Sequence, residues 1–359
     1  MGSSIDRVGR LSETVRAGLR GLRVSINDAP TPEFHRALEH LVPAHDEIGR
    51  WVHAELAKTN LARKRNVIVH HRGVPVLATT LRGRQDRWEV ATSSIAPALR
   101  IPHRDGFLEP ALSAVGLPIL IQDYFGDAPM EFGRQPVKEF DSYVVPLQGF
   151  DLDAHWRKTR IAADIRQARR RSVGTKVVHD DPGTLQWTID TWEGRWADDP
   201  SDETGAGADM RAIWPRLLDD GVLRITALVA DDDTPIASNV TIVVGSTLLG
   251  LINARNTTFG SSVGSIGTLA LVECIDRARA SGLSDFDLGG YHDYKRRFTP
   301  ESRTAYEVDI APRLIAPETL TRMRRRAGRA KRAIGAVAAR LSPGSDGNGD
   351  DVPSPSAAP

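Results

Sequence analysis

Residues able to move protons and to stabilise a developing negative charge gather in the run Leu283–Glu301, LSDFDLGG followed by YHDYKRRFTPE. A strand that ends in Gly289-Gly290 lets backbone approach a ligand closely. Lys295, just beyond it, can place a positive charge where a tetrahedral oxyanion forms, or hold a donor phosphate. His292 can take an acceptor proton near neutral pH, and Tyr291 or Tyr294 can return one to a leaving group. A surface lysine beside packed aromatics would be written with the same letters, so residue type alone leaves both readings open.

The elements that must position these groups lie directly upstream. Gly264 and Gly267 precede a helix whose apolar residues Leu271, Val272, Ile275 and Ala278 recur at the spacing of one buried face. Ser265, Thr268 and the two glycines suit a tight helix entry, and the first N–H groups of a helix attract an anion. Gly282 closes the helix, and DFDLGG follows as a short buried strand. Asn253 and Asn256 end the strand before the glycine turn, where each can cap a turn or bond a substrate amide.

Further upstream the chain turns basic from Asp151, with Arg157, Lys158, Arg160, Arg166, Arg169, Arg170 and Arg171 on a helix whose apolar face is Ile161, Ile165 and Ala168. A solvated cationic face fits this pattern. So does a phosphate clamp centred on Arg160, Arg166 and Arg170, because guanidinium forks chelate phosphate. Trp192 and Trp196 stand four apart on one face of the next helix, as core packing or as a wall of the acceptor pocket. In the helix after it, ADMRAIWPRLLDDG, Pro215 is expected to bend the helix or split off its first turn.

The chain has 359 residues, which suggests two domains of ordinary size plus tails. Hydrophobic residues make up 40% and charged residues 26%, a globular rather than a disordered composition. Net charge is +1, so no global field draws the chain to DNA or to an acidic membrane. Cys274 is the single cysteine, which excludes an internal disulfide and a cysteine-based metal site. It falls inside the expected helix and reads as a buried thiol. His70-His71 point to opposite faces of one strand, so they do not form a metal pair, and no metal is expected. The chain start lacks a secretory core, and Asp6 replaces the Ser or Thr of a myristoylation site. With no long apolar run, the simplest expectation is a cytoplasmic protein.

The first 150 residues read as a loose arm over 1–30, a helical stretch from Glu33 to Lys58, and a hairpin NVIVHH/VPVLATTL turning at Arg72-Gly73. Then come the strand RWEVATSSI, the helix FLEPALSAVG closed at Gly116, and the strands PILIQDY and DSYVVPL. The alternation indicates an α/β or α+β fold. Three strands from VLRITALVADDDTPIASNVTIVVGSTLLGLINARN lead into the glycine turn, and TAYEVDIAP is a last strand. The hairpins VIVHHRGVPVLATTL and ALVADDDTPIASNVTIV share one plan: strand, polar turn, proline, strand. A basic helix over 316–341, with Arg324, Arg325, Arg326, Arg329, Lys331 and Arg332, precedes a disordered tail at 342–359. That helix reads as solvated or as touching anionic lipid or RNA.

The run GSIGTLAL, then SGLSDFDLGGY and YKRRF, resembles the catalytic half of the CelD/BioF-type acetyltransferases of the GNAT superfamily. These are similar in turn to the Fem-type aminoacyltransferases. HWRKTRIAADIRQARRRSVGTKVV resembles the basic helix that opens that half. The resemblance covers residues 140–312 well and the first 140 loosely. It implies a GNAT-like fold of two tandem halves with mixed central sheets flanked by helices, a degenerate one at 31–150 and a catalytic one at 151–315. It also implies that Tyr294-Lys295 lies close to the transferred carbonyl and that the helix carrying Trp192 and Trp196, together with the helix ADMRAIWPRLLDDG after it, roofs the acceptor site. The loop departs from the GNAT pattern: Ser261 stands where a basic or amide residue is usual, and the second small residue comes one place late.

Together these features suggest an acyltransferase with no tightly bound cofactor. The acyl donor is expected to be acyl-CoA, and the acceptor an amine or hydroxyl of a small metabolite or glycan precursor. A donor aminoacyl-tRNA is the second expectation, and a catalytically silent binding module of the same fold the third. No Gly-x-Ser-x-Gly elbow occurs, in keeping with direct attack and no covalent enzyme intermediate.

Overall fold

The structure, a computed structural model, describes residues 21–59, 63–83, 87–92, 99–133, 135–172, 174–196, 206–257, 266–289 and 292–311. All of them fall in a single unit, Met1–Arg313. The expected basic helix at 316–341 and the tail at 342–359 lie outside the described residues.

Local sequence explains the early elements. β1 is Leu22–Asn27, where Leu22 and Val24 pack on the core. This corrects the loose arm expected over 1–30: alternating apolar residues fix its last part as an edge strand. The helical stretch from Glu33 to Lys58 is two helices, α1 (Pro32–Leu41) and α2 (Glu47–Lys58). Thr31 and Asp46 cap their starts, and Val42-Pro43 stops the first. β2 (Lys64–His71) and β3 (Val74–Gly83) form the expected hairpin. Arg72 and Gly73 both take positive φ there, as a two-residue turn between twisted strands requires. Next come β4 (Trp88–Val90), α3 (Leu108–Ala114), β5 (Ile119–Tyr124), α4 (Ala128–Phe132) and β6 (Val137–Pro146).

The basic stretch is also two helices, α5 (Leu152–Lys158) and α6 (Ile161–Arg171). The break falls at Thr159–Arg160, where Arg160 takes φ +66°. Thr159 Oγ1 bonds the His155 carbonyl at 3.1 Å and the Arg297 carbonyl at 2.8 Å. β7 (Thr175–His179), α7 (Pro182–Trp196), α8 (Ala206–Asp219), β8 (Leu223–Ala230), β9 (Pro235–Val244) and β10 (Thr247–Arg255) follow. α8 runs on through Pro215. The chain closes with α9 (Ile266–Ala280), β11 (Asp285–Asp287), a 3-10 turn (Asp293–Arg297) and β12 (Ser302–Ile310). No helix among the described residues is long and apolar enough to cross a membrane.

The strands form one mixed sheet in the order β1-β2-β3-β4-β5-β12-β6-β11-β10-β9-β8-β7. Adding six to each of β1–β5 gives the other flank in mirror order, with β12 and β6 exchanged at the centre. β4 runs parallel to β5 and β10 parallel to β11; every other described pair is antiparallel. This is the tandem, mixed-sheet α/β fold that the sequence suggested, with each half lending its last strand to the other. Neighbours on β10 show how the second half is layered. Leu248 faces a core with Ile275 and Phe286, and Leu249 faces one with Ile213 and Trp214. A buried ion pair, Arg82 with Asp209, joins β3 to α8.

Candidate acyl-transfer site

The second half contains a place where two parallel strands touch and then part. β10 pairs with β9 along its length, but with β11 only over Thr247–Leu249. Its register against β9 shifts between Gly250 and Ile252. A Cβ on Gly250 would meet the Leu288 carbonyl at 3.1 Å, and one on Gly289 would meet the Gly250 carbonyl at 2.6 Å. Gly289 also takes φ +64°, so only glycine fits that contact. Beyond it, residues 251–255 have no ladder partner on the β11 side among the described residues. Such an edge offers N–H and C=O groups to an amide-bearing ligand.

Lys295 is anchored at this parting point. It lies on the 3-10 turn, only 6% exposed, and its Nζ donates to the Leu288 carbonyl at 2.8 Å and to the Gly289 carbonyl. An ammonium has three donors, so one remains. Burial lowers its pKa to about 8, against the opposing pull of Asp287 and Asp123. Fully buried Asp287 accepts from Ser142 Oγ at 2.6 Å and from the Gly289 N–H at 2.7 Å, and pairs with Arg303. The turn itself is pinned by Trp156 Nε1 donating to the Phe298 carbonyl at 3.1 Å and by Arg297 pairing with Asp164. Lys295 is therefore not the surface lysine that its YKRRF context allowed.

The other expected site residues are spread around this centre. Tyr294 is 48% exposed, and its ring lies parallel to that of His292 at 6.1 Å. Lys295 Nζ is 6.0 Å from the centre of the Tyr294 ring. Tyr291, Gly264 and Ser265 lie outside the described residues. Gly267 is exposed at the start of α9, with no described residue within 4 Å of where a Cβ would go, and Thr268 beside it is half-buried. Asn253 is exposed on β10 opposite Asn239, whereas the Asn256 amide donates to the Pro235 carbonyl at 3.4 Å. Ile161, Ile165 and Ala168 are buried against the core that α9 shares, as their spacing indicates. Arg160, Arg166 and Arg170 are exposed. Arg169 ties α6 to α9 through Glu273 at 3.4 Å. Trp192 packs on the core with α8, and the Trp196 side chain lies outside the described residues. Cys274 is buried, its thiol pushed up to about 12 by burial.

Sequence reasoning missed a cavity of about 560 Å³ in the first half, beside the parting of β4 and β5. Leu99, Ile101, Leu108, Ile121 and Leu249 form apolar wall, and Asp123, Tyr124, Glu131 and Arg303 supply polar groups. Asp123 takes φ +51°, and it follows Ile119 at the spacing at which Gly289 follows Asp285. Burial, reinforced by Asp287 and Glu89, raises its carboxyl to about 6, with Lys295 opposing. The one sequence signal was a carboxylate ending the apolar strand PILIQDY, in the register of the glycine that ends DFDLG.

Residues 157–296 match the acetyltransferase (GNAT) domain family. No curated protein matches the chain. Similar solved structures include L-PGS from Bacillus licheniformis, at 12% identity over 79% of this chain and 93% of that one, with a TM-score of 0.48. A tandem GNAT protein from the clavulanic acid biosynthesis pathway is 11% identical over 81% and 99%, with a TM-score of 0.45. FemX is 13% identical over 80% and 97%, with a TM-score of 0.44.

Proposed function

We propose that this chain is an acyltransferase that moves an acyl group from acyl-CoA to an amine or hydroxyl of a small molecule, a reading supported by the match of residues 157–296 to the acetyltransferase (GNAT) domain family. The observation that carries this reading is the parting of β10 from β11 with Lys295 fixed beside it. Acyl-CoA supplies an activated thioester and an amide-bearing arm. The unpaired edge at 251–255 fits such an arm, and the open space at Gly267 fits a phosphate approaching the start of α9.

Lys295 keeps one N–H for the carbonyl oxygen on which negative charge builds during attack. Its partners Leu288 O and Gly289 O hold that donor still, and pre-organisation is what makes such a group effective. His292 and Tyr294 stand on the exposed side of the turn, in reach of protons exchanging with water. Isothermal titration with acetyl-CoA tests the reading: binding in the micromolar to millimolar range is expected, and the wild-type protein failing to bind would remove it.

A second donor, aminoacyl-tRNA, draws support from Arg166 and Arg170. Both are exposed on α6 and form no ion pair with a described residue, as suits a long phosphate backbone. RNase treatment of a cell-extract assay separates the donors: loss of activity favours tRNA.

A further inference from the structure

The first-half cavity has an unbalanced charge. Its other acidic and basic lining groups have partners: Arg100 pairs with Asp105, Arg303 pairs with Asp287, and Glu131, though not charge-neutralised, accepts from the Tyr124 hydroxyl at 2.6 Å. The Asp123 carboxylate has no hydrogen bond or ion pair with a described residue. A partly buried carboxylate without a partner is costly, and the cost grows with the acidic neighbours Glu89, Asp287 and Glu307. Lys295 offsets this in part from a distance, with two of its three N–H groups held by the Leu288 and Gly289 carbonyls and no hydrogen bond to Asp123.

The backbone adds an independent observation. Asp123 holds φ +51°, where glycine is the residue without penalty. A strained position that keeps an unpaired charge facing a cavity marks a side chain retained for what it binds. Asp and Asn are the residues other than glycine that adopt this conformation most readily.

We propose that this cavity binds the acyl acceptor, and that the acceptor carries a primary ammonium group seated on the Asp123 carboxylate. The volume of about 560 Å³ suits a small molecule, and the Leu and Ile walls suit an aliphatic stem behind the ammonium. Among the described lining residues the two arginines, Arg100 and Arg303, are already paired, which disfavours an anion. Thr247 and Leu249 of β10 line the cavity, and the same strand forms the edge assigned to the donor. Arg303 lines it too and holds Asp287, which in turn accepts from Gly289. The role of acceptor rests on the acyltransferase reading; the ammonium seat does not.

The test uses n-hexylamine, n-hexanol and hexanoate as probes, titrated calorimetrically into the full chain at pH 7.5. Wild type should bind hexylamine at least about tenfold tighter than hexanol, and hexanoate weakest. Asp123→Asn keeps the backbone conformation and removes the charge, so it should erase the preference. Asp123→Gly, also at ease at positive φ, serves if the first variant does not fold. Equal binding of amine and alcohol, or a preference that survives both variants, overturns the seat. Acetylation of hexylamine from acetyl-CoA is followed in parallel: the seated ammonium gives its proton to the Asp123 carboxylate and on to water, the free amine forms the C–N bond at the acetyl carbonyl, and the C–S bond breaks to release CoA as its thiol. An intact preference without any transfer would uphold the seat and remove the role of the seated amine as the acyl acceptor.

Discussion

In each half of the sheet a short parallel pair parts beside a residue at positive φ, yet the two positions hold different chemistry. In the second half that residue is Gly289, pressed on the Gly250 carbonyl and held by Lys295. In the first half it is Asp123, with a carboxylate facing a cavity. The helix that follows differs as well. β10 leads to α9, 15 residues long, whereas β4 leads to α3, of 7 residues and without a side-chain cap at its start. A long helix start with open space suits a phosphate, and a lone carboxylate repels one. On the proposed reading, the same strand plan serves an anionic donor in one slot and a cationic acceptor in the other.

The largest effect is expected at the second-half slot. Lys295→Met should lower turnover by about 100–1000-fold, the usual cost of one oxyanion donor. Because Leu288 and Gly289 lose a buried donor, denaturant melts should also show a loss of about 1–3 kcal/mol. Unchanged turnover in a folded variant would break the comparison at its centre.

Asp123→Asn should lower kcat/KM for an amine acceptor by about 100-fold through loss of the charged contact. Stability should move the other way. The folded carboxyl, raised to about 6, keeps its proton where the unfolded one has lost it, so stability falls as pH rises from about 4 to about 6 and stays lower above. The variant should therefore be more stable than wild type by about 1–3 kcal/mol at pH 7.5, in the same melts. Activity should rise with pH through about 6 as Asp123 ionises and fall through about 8 as Lys295 loses its charge. Lys295→Arg should push the alkaline limb upward, and a pH profile without either limb would contradict both roles.

Gly267→Val tests the donor seat with little risk to folding, since no described residue lies within 4 Å of the added Cβ. A rise in KM for acetyl-CoA of about tenfold is expected, with KM for the amine unchanged. The smallest effect belongs to Arg166→Ala combined with Arg170→Ala. Exposed charges stabilise a fold little. A two- to threefold rise in donor KM at low salt, vanishing at high salt, would sharpen the comparison. No change at low salt would return α6 to a solvated face.

The sequence made some of this legible for plain reasons. Leu271, Val272, Ile275 and Ala278 are all buried, as their helical spacing requires, and Arg72-Gly73 turns the expected hairpin. The exchange of β6 and β12 left no local trace, because a strand reads the same whichever half it joins. Lys295 sits among exposed-looking letters, and only the fold places it against two carbonyls. The break at Arg160 depends on Thr159 reaching the Arg297 carbonyl, a contact across 138 positions. Asp123 escaped notice because an acidic residue at a strand end is ordinary until its backbone conformation and its cavity are known.

Calorimetric titration of acetyl-CoA into wild type, Gly267→Val and Asp123→Asn tests most directly that the two halves divide donor from acceptor. The account predicts donor binding that is weakened about tenfold by Gly267→Val and unchanged by Asp123→Asn. Donor binding weakened by Asp123→Asn and indifferent to Gly267→Val would place the donor in the first half and contradict it.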